Sequence, residues 1–160
     1  EDTTAYITDF VPLHALEQAD GSWFVLGAVD GGLAGSVSFD ANGNFTAQRT
    51  YLGHELPAAL LRTSDGGMAM VGTNGEAANR DVFLAKMDAD GEVEWSNTFN
   101  PSGLEEVAYS FIQNADNGYT IIGSSPVNAT GQPLVIRTTA NGTVEPTSVV
   151  DDWCNVAGLQ

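Results

Sequence analysis

The sequence has 160 residues, of which 42% are apolar and 16% charged, with 18 glycines; that balance fits a globular, turn-rich chain and excludes a disordered one. Five Lys and Arg against 21 Asp and Glu give a net charge of -16, which repels phosphate backbones and anionic lipid and so argues against nucleic-acid and membrane-surface partners. No apolar run approaches the roughly 20 residues of a membrane span, and Cys154 as the sole cysteine excludes a disulfide or a thiolate metal cluster within these residues.

In chain order, Glu1 is not a methionine and reads as a processed or excerpted start. Thr4 to Phe10 is similar to the later segments Thr46 to Leu52 and Glu94 to Asn100, so residues 1–10 are expected to be the terminal strand of an incomplete unit. Three copies of one unit follow, at 11–52, 53–103 and 104–150. Asp20-Gly21-Ser22-Trp23-Phe24-Val25-Leu26-Gly27 aligns with Asp65-Gly66-Gly67-Met68-Ala69-Met70-Val71-Gly72 and with Asp116-Asn117-Gly118-Tyr119-Thr120-Ile121-Ile122-Gly123. A second landmark recurs as Asp40-Ala41-Asn42-Gly43, Asp88-Ala89-Asp90-Gly91 and Thr139-Ala140-Asn141-Gly142. A period near 50 residues belongs to multi-stranded repeat units. Residues 151–160 resemble the opening of the third unit at Glu105 and are expected to begin a further unit or to be an exchanged strand.

Each unit reads as four short strands, because β-branched and aromatic runs alternate with Asp-Gly, Asn-Gly or Gly-rich punctuation. In the second copy these are Ala58 to Thr63, Met68 to Gly72, Val82 to Asp88 and Val93 to Phe99. The turn at Ala89-Asp90-Gly91-Glu92 reads as a two-residue hairpin with both central residues at positive φ. Trp23 to Leu26 and Tyr119 to Ile122 are apolar without clean alternation, so both faces of each sheet are expected to meet other protein. Trp23, Met68 and Tyr119 share one repeat position and are expected to fill the space between adjacent sheets.

At these landmarks the second unit, from Asp65-Gly66-Gly67 through Phe83-Leu84-Ala85-Lys86-Met87-Asp88 to Glu94-Trp95 and Phe99, resembles a β-propeller blade of secreted bacterial and archaeal surface proteins. The first unit departs from the pattern with Ser38 in place of Lys86, and the third with Thr139 for the turn Asp and no terminal tryptophan. The resemblance implies an all-β chain of three tandem four-stranded antiparallel units, open at both ends, and an extracellular or cell-surface location; that family carries no single activity. Three such units fall short of the usual four of a closed ring, so partners are expected: other copies of the chain, completing open sheets by β-augmentation into a filament, or neighbouring repeats of a longer chain.

Chemistry-bearing residues are sparse. His14 and His54 stand 40 residues apart without a motif, no Gly-x-Ser-x-Gly elbow marks a nucleophile, and the glycines from 27 to 35 lack the Lys and helix of a phosphate loop. No catalytic residue and no cofactor are therefore assigned. Asp88, Asp90, Asp40 and Asn42 offer oxygens at alternate positions and are weak calcium candidates, against which stands the demand of hairpin turns for the same residue types. Glu105-Glu106 and Asp151-Asp152 read as solvated loop carboxylates. Asn44, Asn128 and Asn141 head Asn-x-Ser/Thr sequons, candidate glycan sites. The expectation is a non-enzymatic extracellular scaffold, with a glycan- or peptide-binding surface module as the alternative.

Overall fold

The computed structural model describes residues 9–76, 79–101, 105–127 and 130–144, and all of them form strands and turns apart from one 3-10 turn at Asp30–Gly32. The first sheet contains β1 (Val11–Glu17), β2 (Trp23–Val29), β3 (Leu33–Phe39) and β4 (Phe45–Glu55). The second contains β5 (Pro57–Arg62), β6 (Met68–Asn74), β7 (Asp81–Met87) and β8 (Val93–Phe99), and the third β9 (Val107–Gln113), β10 (Tyr119–Val127) and β11 (Thr130–Thr138). Each sheet is an antiparallel meander in chain order. The strands expected in the second unit thus lie within one or two residues of those observed.

Four strands per unit hold for the first two sheets, whereas the described part of the third has three. Val144 makes an antiparallel bridge to Thr138 at the position where Val93 pairs with Met87 in the second sheet. The rest of an expected fourth strand lies outside the described residues, as do 1–8, Asn128 and the whole segment 151–160 with Cys154.

The second sheet lies between the other two, which explains its composition. Along β6 the alternation of side chains places Met68 and Met70 against Phe24 and Leu26 of the first sheet, and Ala69 and Val71 against Phe111 and Ile121 of the third. With solvent on neither side, β6 and β7 have no need of a polar face, and six consecutive residues of each are buried. Burying a Val, Leu or Met side chain stabilises by about 1.5–3 kcal/mol, so this sheet is the anchor of the stack. Among the described residues, the flanking sheets are covered on one face only. Trp23 therefore does not fill an inter-sheet space as Met68 and Tyr119 do: it is 42% exposed, against 0% and 1%, because its side of the first sheet faces away from the second.

The hairpin turns differ from the expected two-residue form. In Asp88 to Glu92 the Gly91 N–H donates to the Asp88 carbonyl and the Asp88 N–H to the Glu92 carbonyl, and Gly91 alone has positive φ. This is a three-residue loop, a type I turn closed by a left-handed residue in a bulge. The same pairs of bonds recur at Gln18 to Ser22, Asp40 to Asn44, Thr63 to Gly67, Asn114 to Gly118 and Thr139 to Thr143. The left-handed position is held by Gly21, Gly43, Gly66, Gly142 and, in one case, Asn117, the non-glycine residue that tolerates it best.

Candidate functional site

The first-to-second and third-to-fourth strand turns of a meander lie at one end of the sheet, so the conserved geometry of the turns gathers the acidic residues there. The carboxylates of Asp88 and Asp40 are occupied by backbone. Asp88 Oδ1 accepts the N–H groups of Asp90 and Glu92 at 2.9 Å each, and Asp40 Oδ1 those of Asn42 and Asn44 at 2.9 and 2.8 Å. The Asn44 amide adds a bond to Asp40 Oδ2 at 2.9 Å, and with these bonds, the one from the Asn44 side chain foremost, the Asp40 carboxyl sits below its ordinary range. Asp88, Asp90, Asp40 and Asn42 are thus split between two turns, with Asp88 and Asp40 bound as turn caps. Among the described residues no group of three or more metal-type side chains converges. Asn44 and Asn141 lie exposed in their turns.

The two histidines are not brought together. His14 Nε2 lies 2.9 Å from the Ala58 carbonyl oxygen, tying β1 to β5. His54 Nε2 lies 2.8 Å from Ser96 Oγ, with its ring edge-on to Phe83 at 4.9 Å between centroids; burial pushes its pKa down. Within the described residues no carboxylate hydrogen-bonds to this imidazole, so the third member that orients a Ser-His pair is not in place. Of the paired acids, Glu105 meets Arg80 at 3.3 Å, but Glu106 is fully buried, contrary to its reading as a solvated loop residue: its N–H donates to the Arg80 carbonyl at 2.7 Å, which draws it in between the second and third units.

Two features of the surface stand out. One is a cleft of about 680 Å³ at the turn end between the first and second sheets. Its walls include Asp20, Trp23, Phe24, Ser38, Asp40 and Ala47 from the first unit and Asp90 and Glu92 from the second. Arg49 pairs with Glu92 along its wall, and Arg62 donates to the Glu17 carbonyl. The other is the outward face of the third sheet, where Tyr109, Ile112 and Ile122 are 59%, 61% and 49% exposed. The cleft leaves one visible signal in the sequence, Ser38 in place of Lys86.

No family model and no curated protein matches this sequence. Among solved structures, the chain is similar to the endo-arabinase from Bacteroides thetaiotaomicron, with a TM-score of 0.52 and 14% identity over 88% of this chain. The match spans 62% of that enzyme's chain. At this identity the likeness concerns the arrangement of sheets, and the all-β fold with three antiparallel sheets agrees with it.

Proposed function

We propose that this chain is a non-enzymatic, extracellular scaffold of propeller type, whose third sheet is covered by a further sheet of the same kind from another copy of the chain or from an adjoining repeat. One observation carries the reading. Register places Leu26, Val71 and Ile122 at one repeat position, opposite His14, Ala59 and Ser110 in the neighbouring strand. Leu26 and Val71 are 0% exposed because the next sheet covers them, whereas Ile122 is open. Leu16, Leu61 and Ile112 form a second such row, the first two packed against neighbouring sheets and the third open. An exposed row of large apolar side chains at positions used elsewhere for sheet stacking marks an interaction face, and repeat units bury their faces against like neighbours.

The activity of the arabinase is not carried over at 14% identity. Sedimentation velocity over a concentration series tests the assembly. Association beyond 16.8 kDa that Ile122→Asp abolishes is expected; a monomer at every concentration, unaffected by that substitution, would remove the reading.

A further inference from the structure

Superposing the units by strand register exposes a vacancy. Lys86 pairs with Ala69 on one side and Trp95 on the other, with Glu94 as the bulged residue before Trp95. The corresponding positions of the first unit are Ser38, Ala47 and Thr46. In the second unit the three large side chains act together. Lys86, buried against the third sheet, reaches Asp65 at 3.0 Å and Glu94 at 2.8 Å, and the Trp95 ring meets Tyr119 edge-on at 6.0 Å. The third unit keeps the cation, since Arg137 occupies the Lys86 position and pairs with Asp116 at 2.6 Å.

In the first unit all three positions are truncated at once, and the cleft opens where their side chains would lie. Phe24, at the position of Ala69, compensates in part: its ring packs on Gly91 as the Trp95 ring packs on Gly142. The charge is not compensated. Asp20 stands where Asp65 and Asp116 stand, accepts the Ser22 N–H at 2.9 Å, and makes no ion pair among the described residues, in which both its counterparts have one. The cleft wall carries Asp20, Asp40, Asp90 and Glu92 against Arg49 and Arg62; Arg49 pairs with Glu92 and Arg62 donates to the Glu17 carbonyl, which leaves Asp20, Asp40 and Asp90 without an ion pair among the described residues.

From this vacancy we infer that the cleft between the first and second sheets binds a basic peptide segment of a partner protein, whose Lys or Arg enters as Lys86 does in the neighbouring interface and meets Asp20, with an apolar or aromatic side chain against Ala47 and Phe24. All five basic residues of this sequence already serve other contacts, so the cation comes from outside these residues. An extended segment presents residues two apart on one face, which gives the probe: a dye-labelled Gly-Lys-Thr-Trp-Gly peptide, read by fluorescence anisotropy, independently of the assembly state proposed above. Ser38→Lys fills the vacancy from within and is expected to weaken binding more than tenfold, the size of effect that a built-in clash and like charge produce. Glu76→Gln, an equal change of net charge on the exposed surface, is expected to alter it less than about twofold. Asp20→Asn is expected to weaken it roughly threefold, as an exposed ion pair does. Equal affinity for the same peptide with norleucine in place of lysine, equal effects of Ser38→Lys and Glu76→Gln, or binding of the neutral oligosaccharide maltohexaose in place of the peptide would each overturn the inference.

Discussion

The two inter-sheet interfaces are built on the same backbone and filled differently. Between the second and third sheets, Trp95 and Lys86 close the turn end, with the indole against Tyr119 and Gly142 and the ammonium between two carboxylates. Between the first and second sheets, Phe24 reaches Gly91 from a different strand and Tyr51 donates to the Gly91 carbonyl at 3.0 Å, while the remaining space stays open as the cleft. One interface is specialised for holding sheets together; in the other, part of that work is given up and an acidic recess is left. Small side chains at three positions of one repeat make the difference, with no change of strand register.

The contrast is open to direct attack, and the largest effect is expected from making the filled interface like the open one. Lys86→Ser combined with Trp95→Ala should lower stability by about 3 kcal/mol, in the range of large-to-small changes at packed aromatic sites, read from the urea midpoint; a loss under about 1 kcal/mol would show that these side chains do not hold the interface. Next come the turn glycines. Gly91→Ala and Gly142→Ala each force a β-carbon into a left-handed residue and to within 2.6 Å of the Phe24 and Trp95 rings respectively, and should cost about 2–3 kcal/mol from strain and overpacking together. Gly43→Ala has positive φ but open space around it, so it should cost only about 1 kcal/mol. Equal losses at all three positions would mean that the ring contacts contribute nothing.

Smaller still is the gain expected from Ser38→Lys, about 0.5 kcal/mol, the scale of an ion pair with an exposed carboxylate. The smallest effect concerns acid. The hydrogen bond from Thr63, then that from Lys86, hold the Asp65 carboxyl down to about 2 from 3.8. Its contribution to stability is therefore full above pH 3.8 and is lost as the pH falls toward 2. Asp65→Asn should flatten the stability profile in that window more than Asp20→Asn, whose carboxyl is lowered chiefly by its bonds to Ser22 and has no cation beside it. For Lys86, burial pushes the ammonium down but the bonds to Glu94 and Asp65 outweigh it and leave its pKa raised, so it stays charged throughout this window.

Much of this architecture was legible from the residues. Asp-Gly and Asn-Gly landmarks marked six of the tight turns among the described residues, and the apolar runs Trp23 to Leu26 and Tyr119 to Ile122 gave the expectation of sheets covered on both faces, which the second sheet meets. The same inference failed for Trp23 and Ile122, because the hydropathy of a strand records what its faces are suited to meet, not what lies against them. The turn type is not legible from the sequence, since Asp-Gly fits both a two-residue loop and a type I turn with a left-handed bulge; the Asp88 carboxylate, bonding N–H groups two and four residues on, selects the second. The cleft was hidden because it depends on Ser38, Thr46 and Ala47 acting across two strands, which becomes visible only once register pairs them. Glu106 reads as a solvated acid for a similar reason: the bond that draws it in goes to the Arg80 carbonyl, in another unit.

The central claim is that the third sheet's open face is an interaction face. Sedimentation velocity of the unmodified chain, compared with Ile122→Asp, tests it most directly. Concentration-dependent association of the unmodified chain and a 16.8 kDa monomer for the variant are expected; identical monomeric behaviour of both at every concentration would contradict an interaction face there.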